Sequence, residues 1–311
     1  MLARSCSATG PGSVKIRTRP AGCPAALIEP FPKLRRFYTC DGEASLVCSV
    51  LRPLGAFVWP VLFNFFGFPV QSYGASKALA AIVGAILLGR RFKRLGFDKD
   101  LAYSLVLWAT VWGFVGGKIY FLIDNWSHFE WHMLGSSGFV WYGGLVGGTI
   151  AVAVISFRHK LQLATVAGAM AMPLSVAYGI GRIGCFLAGD GTYGKPTDLP
   201  WGMAFPNGVV PVDVPVHPAQ LYEALGAFAI AAFLWFLQDR VRPVAVFGSY
   251  LALSGAARLL VETVRINPPV ILGLSEAQLF GIVSMIVGAA LVLRRTASRG
   301  PAAVPTAGTS I

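Results

Sequence analysis

Segment 179–194 (GIGRIGCFLAGDGTYG) places an arginine and an aspartate, Arg182 and Asp190, in an otherwise apolar chain. A charged side chain at membrane depth costs about 2.5–3.5 kcal/mol on insertion scales, so it usually faces a cavity and serves a function. The surrounding glycines allow a backbone or a ligand to approach the guanidinium closely. Because a guanidinium grips phosphate or carboxylate through paired hydrogen bonds, the segment predicts an anion-binding site.

Further polar residues lie within apolar stretches or at their ends. Each has a structural explanation of its own: the tyrosines suit an interfacial aromatic belt, and a histidine before a proline commonly begins a helix. Several of them cluster near the outer ends of their spans, which favours a shared site there. These residues are Tyr73, Lys118, Tyr142, His217, Gln220, Tyr222, Glu223, Arg258, Glu262 and Arg265.

Arg258 and Glu262 are four residues apart, so on a helix they share a face and are predicted to form an ion pair. Such a pair makes both charges tolerable in lipid, and it also orients the arginine for phosphate recognition. Arg265 follows near the predicted outer boundary, where its side chain could simply extend to the interface.

The elements that must position these residues are membrane helices. The chain has 311 residues, of which 55% are hydrophobic and 13% charged, about half the charged fraction of a soluble domain. The net charge of +12 is concentrated in short basic clusters beside apolar runs, which favours anionic lipid over nucleic acid as the partner. The cysteines show no CxxC or His/Cys spacing, so we predict neither a metal site nor a cofactor.

The hydropathy pattern predicts an all-α polytopic membrane protein with seven transmembrane helices. The loops between them alternate in basicity, which predicts an outside N-terminus and a cytoplasmic C-terminus. The predicted spans are 72–89, 101–123, 139–157, 163–181, 219–237, 244–264 and 277–293. The loop 182–218 is the longest, and a long outer loop beside a buried arginine is where function is expected.

The membrane domain is predicted to occupy residues 53–295, followed by a disordered cytoplasmic tail at 296–311. Residues 1–52 form a basic N-terminal stretch that predicts disorder or an upstream, mis-assigned start codon. The apolar stretch 54–70 is interrupted by Pro60, Asn64 and Pro69, which favours a re-entrant or interfacial segment. If this stretch crossed the membrane instead, the N-terminal tail would lie inside.

Six ordered blocks resemble the prolipoprotein diacylglyceryl transferase family. The segment GRIGCFLAGDGTYG is similar to its signature Gly-Arg-x-x-Asn-Phe-x-Asn-Gly-Glu, and RLLVETVR is similar to its Arg-x-x-x-Glu-x-x-Arg block. The block HPAQLYEA, which begins at His217, is similar to its His-Pro-x-Gln-Leu-Tyr-Glu. The remaining blocks are SYG at 72–74, GGK at 116–118 and YGGLVGG at 142–148.

This resemblance implies helices around a lipid cavity that faces the outer leaflet, in a bacterial inner membrane. It implies transfer of a diacylglyceryl group from phosphatidylglycerol to the lipobox cysteine of a prolipoprotein signal peptide. In this hypothesis Arg182 and Arg258 hold the phosphate, Glu262 orients Arg258 and Tyr73 positions the headgroup. Tyr142 and His217 are further catalytic candidates, and the additional lipid-binding candidates are Lys118, Asp190, Gly194, Gln220 and Arg265.

The chain departs from the family pattern at several positions. Tyr142 replaces a histidine that could take the proton of the acceptor thiol, and tyrosine does not do so easily at neutral pH. Cys185 and Ala188 replace asparagines, Asp190 replaces glutamate, and Lys118 replaces arginine.

Several functions remain open on these residues. His217 or the field of the arginines could activate the thiol, or Cys185 could itself act as the nucleophile. The chain could also be a paralogue with another lipid donor or acceptor, or a lipid-binding protein without catalysis. Retained intramembrane charges argue against the last of these, and the lack of an inverted repeat argues against a transporter.

Overall fold

The structure, a computed structural model, describes residues 54–55, 58–135, 138–271 and 273–294. The predicted N-terminal tail and the C-terminal tail lie outside the described residues. Seven helices are long and apolar enough to cross a membrane, as the hydropathy pattern predicted. They are α1 (Ser72–Arg94), α2 (Lys99–Asp124), α3 (Trp141–Arg158), α4 (Leu163–Ala188), α5 (Ala219–Leu237), α6 (Pro243–Glu262) and α7 (Glu276–Leu293).

Helix α4 is longer than predicted, because it continues past position 181 to Ala188. It ends at Gly189, which has a φ of +61° and so adopts the left-handed conformation that commonly terminates helices. Arg182 and Cys185 therefore lie in the last two turns of a helix, and the long outer loop begins at Gly189 rather than at Arg182. This is a correction to the predicted boundary.

Helix α4 is also the central helix of the described bundle, since it packs against α1, α5 and α6. Its polar groups are matched inside the bundle: the buried Ser175 hydroxyl donates to the Ala227 carbonyl of α5 over 2.8 Å. The peripheral helices pair through small residues. A Cβ atom on Gly144 of α3 would lie 3.2 Å from the Gly113 carbonyl of α2, and one on Gly281 of α7 would lie 3.1 Å from the Gly255 carbonyl of α6. Close backbone approach through glycine is typical of packing in membranes.

The stretch before α1 forms strands instead of a span. Strands β2 (Val61–Phe65) and β3 (Phe68–Gln71) make an antiparallel hairpin. Its turn residue Phe66 is 88% exposed, and Phe68 is 76% exposed. A hairpin of this length, lying before α1, agrees with the predicted interfacial segment and not with the alternative of an additional crossing.

A second, three-stranded sheet supports the outer loop. It has the order β1 (Leu54–Gly55), β4 (Met203–Phe205) and β5 (Val212–Val216), with β1 parallel to β4 and β4 antiparallel to β5. The Tyr193 ring stacks on Phe205 with 4.2 Å between ring centroids, and its hydroxyl donates to the Val210 carbonyl. Burial raises the pKa of Tyr193 to about 12, so its phenol stays neutral and acts as a structural donor.

Candidate active site

The candidate site is centred on one carboxylate, Glu223, in the second turn of α5. Its side chain is 3% exposed, and three guanidinium groups converge on it. Arg182 Nε from α4 lies 2.8 Å from Glu223 Oε2, and Arg265 Nη1 lies 3.6 Å from the same oxygen. Arg258 Nη1 from α6 donates to Glu223 Oε1. Three separate segments are therefore joined by a single acid.

Glu262, at the end of α6, is the second buried carboxylate of the site. Arg258 Nη2 lies 3.2 Å from Glu262 Oε2, which confirms the predicted ion pair. The Ser275 hydroxyl donates to Glu262 Oε1 over 2.6 Å, and the Asn267 amide donates to the same oxygen. These bonds fix the carboxylate that orients Arg258.

Arg265, a predicted lipid-binding candidate, lies in the cluster and does not extend to the interface, which was the structural alternative. Its side chain is 10% exposed and lies between Glu223 and Glu262, with Nε 4.0 Å from Glu262 Oε2. Burial lowers the pKa of its guanidinium from the ordinary value. Its buried Nε and Nη1 have no hydrogen-bond partner among the described residues. Two donors are thus available to an acceptor that enters the site.

Arg182 is oriented by Tyr178, one turn earlier on α4. The Arg182 Nε–H donates to the Tyr178 hydroxyl over 3.0 Å. Glu223 Oε2 lies closer to Nε, at 2.8 Å, but it forms an ion pair and not a hydrogen bond because the N–H is directed at Tyr178. The Tyr178 hydroxyl donates to Glu223 Oε1 over 3.2 Å, and the guanidinium carbon lies 5.0 Å from the ring centroid. The hydrogen bond to Tyr178 and the ion pair with Glu223 both involve Nε, so neither contact uses the terminal Nη groups of Arg182.

The charges of this cluster do not cancel. Three arginines against two glutamates leave one positive charge in a largely buried place. A phosphodiester carries one negative charge, and guanidinium groups match its oxygens geometrically. In a water-poor site such fixed cations stabilise added negative charge strongly.

The outer loop brings Arg265 to this cluster through backbone hydrogen bonds. The Gly194 N–H donates to the His217 carbonyl over 2.9 Å, and the Lys195 N–H donates to the Val264 carbonyl over 2.6 Å. A Cβ atom on Gly194 would lie 2.6 Å from His217 Cβ and 2.7 Å from the Val264 carbonyl oxygen. Gly194 therefore permits close packing of three segments, and a direct lipid contact remains a prediction.

His217 lies beside this loop in a chain of aromatic polar groups. Its Nδ1 is 3.2 Å from the Tyr222 hydroxyl, which accepts a hydrogen bond from Trp201 Nε1 over 2.8 Å. The Tyr222 hydroxyl can donate its own hydrogen to Nδ1, and the neutral imidazole then carries its proton on Nε2. In that tautomer His217 is a donor at Nε2 rather than a base.

Gln220 lies one turn before Glu223 on the same face of α5. It is fully buried, and both its amide oxygen and its amide nitrogen lack a hydrogen-bond partner in the described residues. A buried amide without partners costs about 1–3 kcal/mol for each group. This observation supports a polar ligand or water beside the arginines, as predicted for Gln220.

The remaining predicted residues lie around the cluster. The Tyr142 hydroxyl donates to Glu276 Oε2 over 3.3 Å and is within electrostatic range of Arg258. Asp190 Oδ1 accepts from the Thr192 N–H and hydroxyl, and Tyr73 is within electrostatic range of Asp190 and Arg182.

Lys118 lies near the end of α2, where its side chain contacts the loop that follows this helix. Its ammonium donates to the Gly135 carbonyl over 2.8 Å and lies over the rings of Phe121 and Phe139. These contacts are with groups of the protein itself, so they do not support the predicted role of Lys118 in lipid binding.

Two residues that contact the arginines, Glu223 and Tyr178, were absent from the predicted catalytic and lipid-binding set. Glu223 belongs to a block that the sequence singled out, and a glutamate inside an apolar helix was itself a signal. Tyr178 carried a weaker signal, because a single tyrosine in a span usually has an interfacial explanation. Among the described residues no group of three or more His, Cys, Asp or Glu side chains could hold a metal ion.

A model of the prolipoprotein diacylglyceryl transferase family matches residues 60–294, which is more than half of the chain. The chain belongs to this family. Its members are transferases of the membrane, and the seven apolar helices make this chain a multi-pass membrane protein. The arginines and glutamates of the cluster all lie inside the matched region.

Individual relatives agree with the family assignment. The chain is 34% identical over 239 residues to the phosphatidylglycerol–prolipoprotein diacylglyceryl transferase of Clostridium tetani, covering 74% of this chain and 94% of the relative. It is 30% identical over 260 residues to the enzyme of that name from Marinomonas, covering 78% and 92%. The relative from Methylococcus capsulatus is 34% identical over 225 residues, covering 69% and 84%.

Proposed function

We propose that this chain transfers a diacylglyceryl group from phosphatidylglycerol to the lipobox cysteine thiol of a prolipoprotein, the first step of lipoprotein maturation. The bond between the diacylglyceryl carbon and the phosphate oxygen breaks, and a carbon–sulfur bond forms. Glycerol phosphate leaves, and the thiol proton is released. The phosphate passes from one negative charge to two, so the site must stabilise a growing anion.

One observation carries this proposal: three arginines converge on Glu223 with unsatisfied donors and a surplus positive charge. Arg265 Nε and Nη1 lack a hydrogen-bond partner among the described residues, and the contacts of Arg182 with Tyr178 and Glu223 use its Nε and not its Nη groups. Donors held in place before the reaction stabilise the leaving phosphate without reorganisation. Glu223 and Glu262 hold the guanidinium groups apart in fixed orientations, which is the positioning that such a site needs.

The proposed orientation places this cluster at the outer leaflet of a bacterial inner membrane, with the N-terminus outside and the C-terminus in the cytoplasm. The opposite ends of the helices carry the basic residues that favour the cytoplasmic side. These residues include Arg90, Arg91, Lys93, Arg94, Arg158, Lys160, Arg240, Arg242 and Arg294.

Complementation tests the proposal. The full chain is expressed in a bacterium depleted of its own diacylglyceryl transferase, and lipoprotein maturation is followed by gel shift. We expect the wild type to restore maturation and Arg182→Ala to lower it at least about a hundredfold, as for removal of a principal oxyanion donor. Arg158→Ala, which removes an exposed arginine at the C-terminal end of α3, is the matched control and should retain activity. Unchanged turnover by a well-inserted Arg182→Ala protein would overturn the proposed role of the cluster.

A second candidate is a family paralogue that keeps the phosphate site and uses another donor or acceptor. The replacement of the family's histidine by Tyr142, which is bonded to Glu276, favours it. Failure of a well-expressed wild type to complement, together with rescue by Tyr142→His, would support this candidate. A screen of lipid donors with the purified protein would then identify its substrate.

A further inference from the structure

Lys77 is a membrane-embedded cation that the cluster around Glu223 does not use. It lies in the second turn of α1, and its ammonium is 5.1 Å from the centroid of the Tyr73 ring. It has no hydrogen bond or ion pair with any residue that the structure describes, and its side chain is exposed. Because an ammonium at this depth is costly without an anion, its presence requires an explanation.

The position of Lys77 is defined by a glycine of α4. A Cβ atom on Gly181 would lie 3.2 Å from Lys77 Nζ, and its three nearest neighbours would all be Lys77 atoms. Gly181 directly precedes Arg182, which faces α5 through Tyr178 and Glu223. The buried Cys185 is within electrostatic range of both Lys77 and Arg182. The two cations lie at similar depth, about 7.5 Å and about 9 Å from the outer ends of their helices at 1.5 Å per residue.

An apolar groove continues inward from Lys77 between α1, α2 and α4. It begins near Ala80, one turn after Lys77 on α1, and near Ala177, one turn before Gly181 on α4. Its lining includes Ala80, Gly84, Ala109, Pro173, Leu174 and Ala177. A cation above an apolar groove matches the amphiphilic shape of a phospholipid, with its phosphate at the charge and an acyl chain below.

We propose that Lys77, together with the neighbouring Tyr73 ring, forms a phospholipid-binding subsite between α1 and α4. The ammonium binds the phosphate of a lipid that arrives from the outer leaflet, and the α1/α2/α4 groove holds an acyl chain. The subsite serves the donor before it reaches the three arginines, so this inference rests on the proposed function for the identity of the lipid as donor. Lys77 contacts the arriving lipid and not the reacting bond, so its removal weakens binding without slowing the chemical step.

The test uses the full chain in proteoliposomes, with phosphatidylglycerol varied as a fraction of phosphatidylcholine. We expect Lys77→Gln to raise KM for phosphatidylglycerol about tenfold, the effect of losing one charged contact, with kcat within twofold. Lys77→Arg should restore most of the affinity. Lys93→Gln, which removes an exposed lysine at the other end of the same helix, is the matched control and should leave both constants unchanged.

Gly181→Ala gives a second variant that keeps the lysine. The added methyl group should displace the ammonium and raise KM by a smaller factor, and it should have no further effect in the Lys77→Gln background. An unchanged KM in Lys77→Gln, or a loss of kcat at unchanged KM, would overturn the subsite.

Native mass spectrometry of the detergent-solubilised protein with added phosphatidylglycerol separates this inference from the proposed transfer reaction. Binding that weakens in Lys77→Gln supports the subsite even if the wild type transfers nothing to a prolipoprotein. Equal binding by the two proteins overturns the subsite even if the wild type is an active transferase.

Discussion

At the scale of single residues, Glu223 is the side chain on which the site depends. It contacts arginines from α4, from α6 and from the segment after α6, and it is almost completely buried. Without its charge, three guanidinium groups would face one remaining carboxylate, Glu262. Breaking a buried ion pair by removing one partner is expensive because the other charge is left uncompensated.

We therefore expect Glu223→Gln to lower the free energy of unfolding by about 3–5 kcal/mol and to reduce transfer strongly. Thermal unfolding of the detergent-solubilised protein measures the first effect, and the gel-shift assay measures the second. Asp239→Asn is the control, because Asp239 pairs with Arg91 but is 59% exposed, and such a pair contributes less than about 1 kcal/mol. A Glu223→Gln protein as stable as the control would contradict the central role of this carboxylate.

At the scale of elements, the outer loop and the end of α6 form one unit with the start of α5. The Gly194 and Lys195 amides bond to His217 and Val264, and the isolated bridge between Gly194 and Arg265 aligns the arginine with the cluster. The absence of a side chain at Gly194 allows this packing. The geometry of the loop at Gly194 therefore helps to determine the position of Arg265, which is distant in the sequence.

Gly194→Ala tests that coupling. Its methyl group would overlap His217 and the Val264 carbonyl, so the loop must shift and carry Arg265 with it. We expect a loss of about 1–3 kcal/mol in stability, as for other overpacked positions, and a larger fractional loss of transfer. Gly226→Ala in α5 is the matched control, because a Cβ atom there meets nothing within 4 Å. It should be neutral or more stable by up to about 1 kcal/mol. Equal behaviour of the two variants would show that the loop tolerates the displacement.

In the whole molecule, the arginine–glutamate cluster and the basic residues of the connecting loops lie at opposite ends of the seven helices. The cluster around Glu223 lies where α4 and α6 end and α5 begins, whereas the basic residues Lys93, Arg94 and Arg158 lie at the ends of α1 and α3. An odd number of crossings puts the residues before α1 and after α7 on opposite sides of the membrane. Positive residues tend to be retained on the cytoplasmic side, which supports the proposed orientation.

Cysteine labelling in intact cells measures this orientation. In a background where Cys6, Cys23, Cys40 and Cys48 are replaced by serine, we expect an impermeant maleimide to label Asp198→Cys in the outer loop. Lys160→Cys, between α3 and α4, should be labelled only after the membrane is opened. Cys185 is 4% exposed and should remain unlabelled in the parent background. The reverse pattern would invert the proposed topology and place the cluster at the inner leaflet.

The seven spans, the family and the Arg258–Glu262 pair could all be predicted from the amino-acid sequence. These properties depend on local patterns: runs of apolar residues, ordered motifs, and a spacing of four residues that any helix converts into a shared face. The end of α4 was missed because small apolar residues continue past Arg182 without a change in hydropathy, and the helix stops only where Gly189 adopts a positive φ.

The pairing of the charged side chains in the site depends on how the helices pack. Arg182, Glu223 and Arg258 are far apart in the chain, and nothing in their spacing assigns Glu223 to all three arginines or turns Arg265 inward from the interface. The same holds for Lys77, whose position follows from the close contact between α1 and Gly181. In a bilayer every helix has an apolar surface, so hydropathy predicts that a helix spans the membrane but not which face packs against which neighbour. Packing through small residues determines which helix faces meet, and it thereby determines the arrangement of the site.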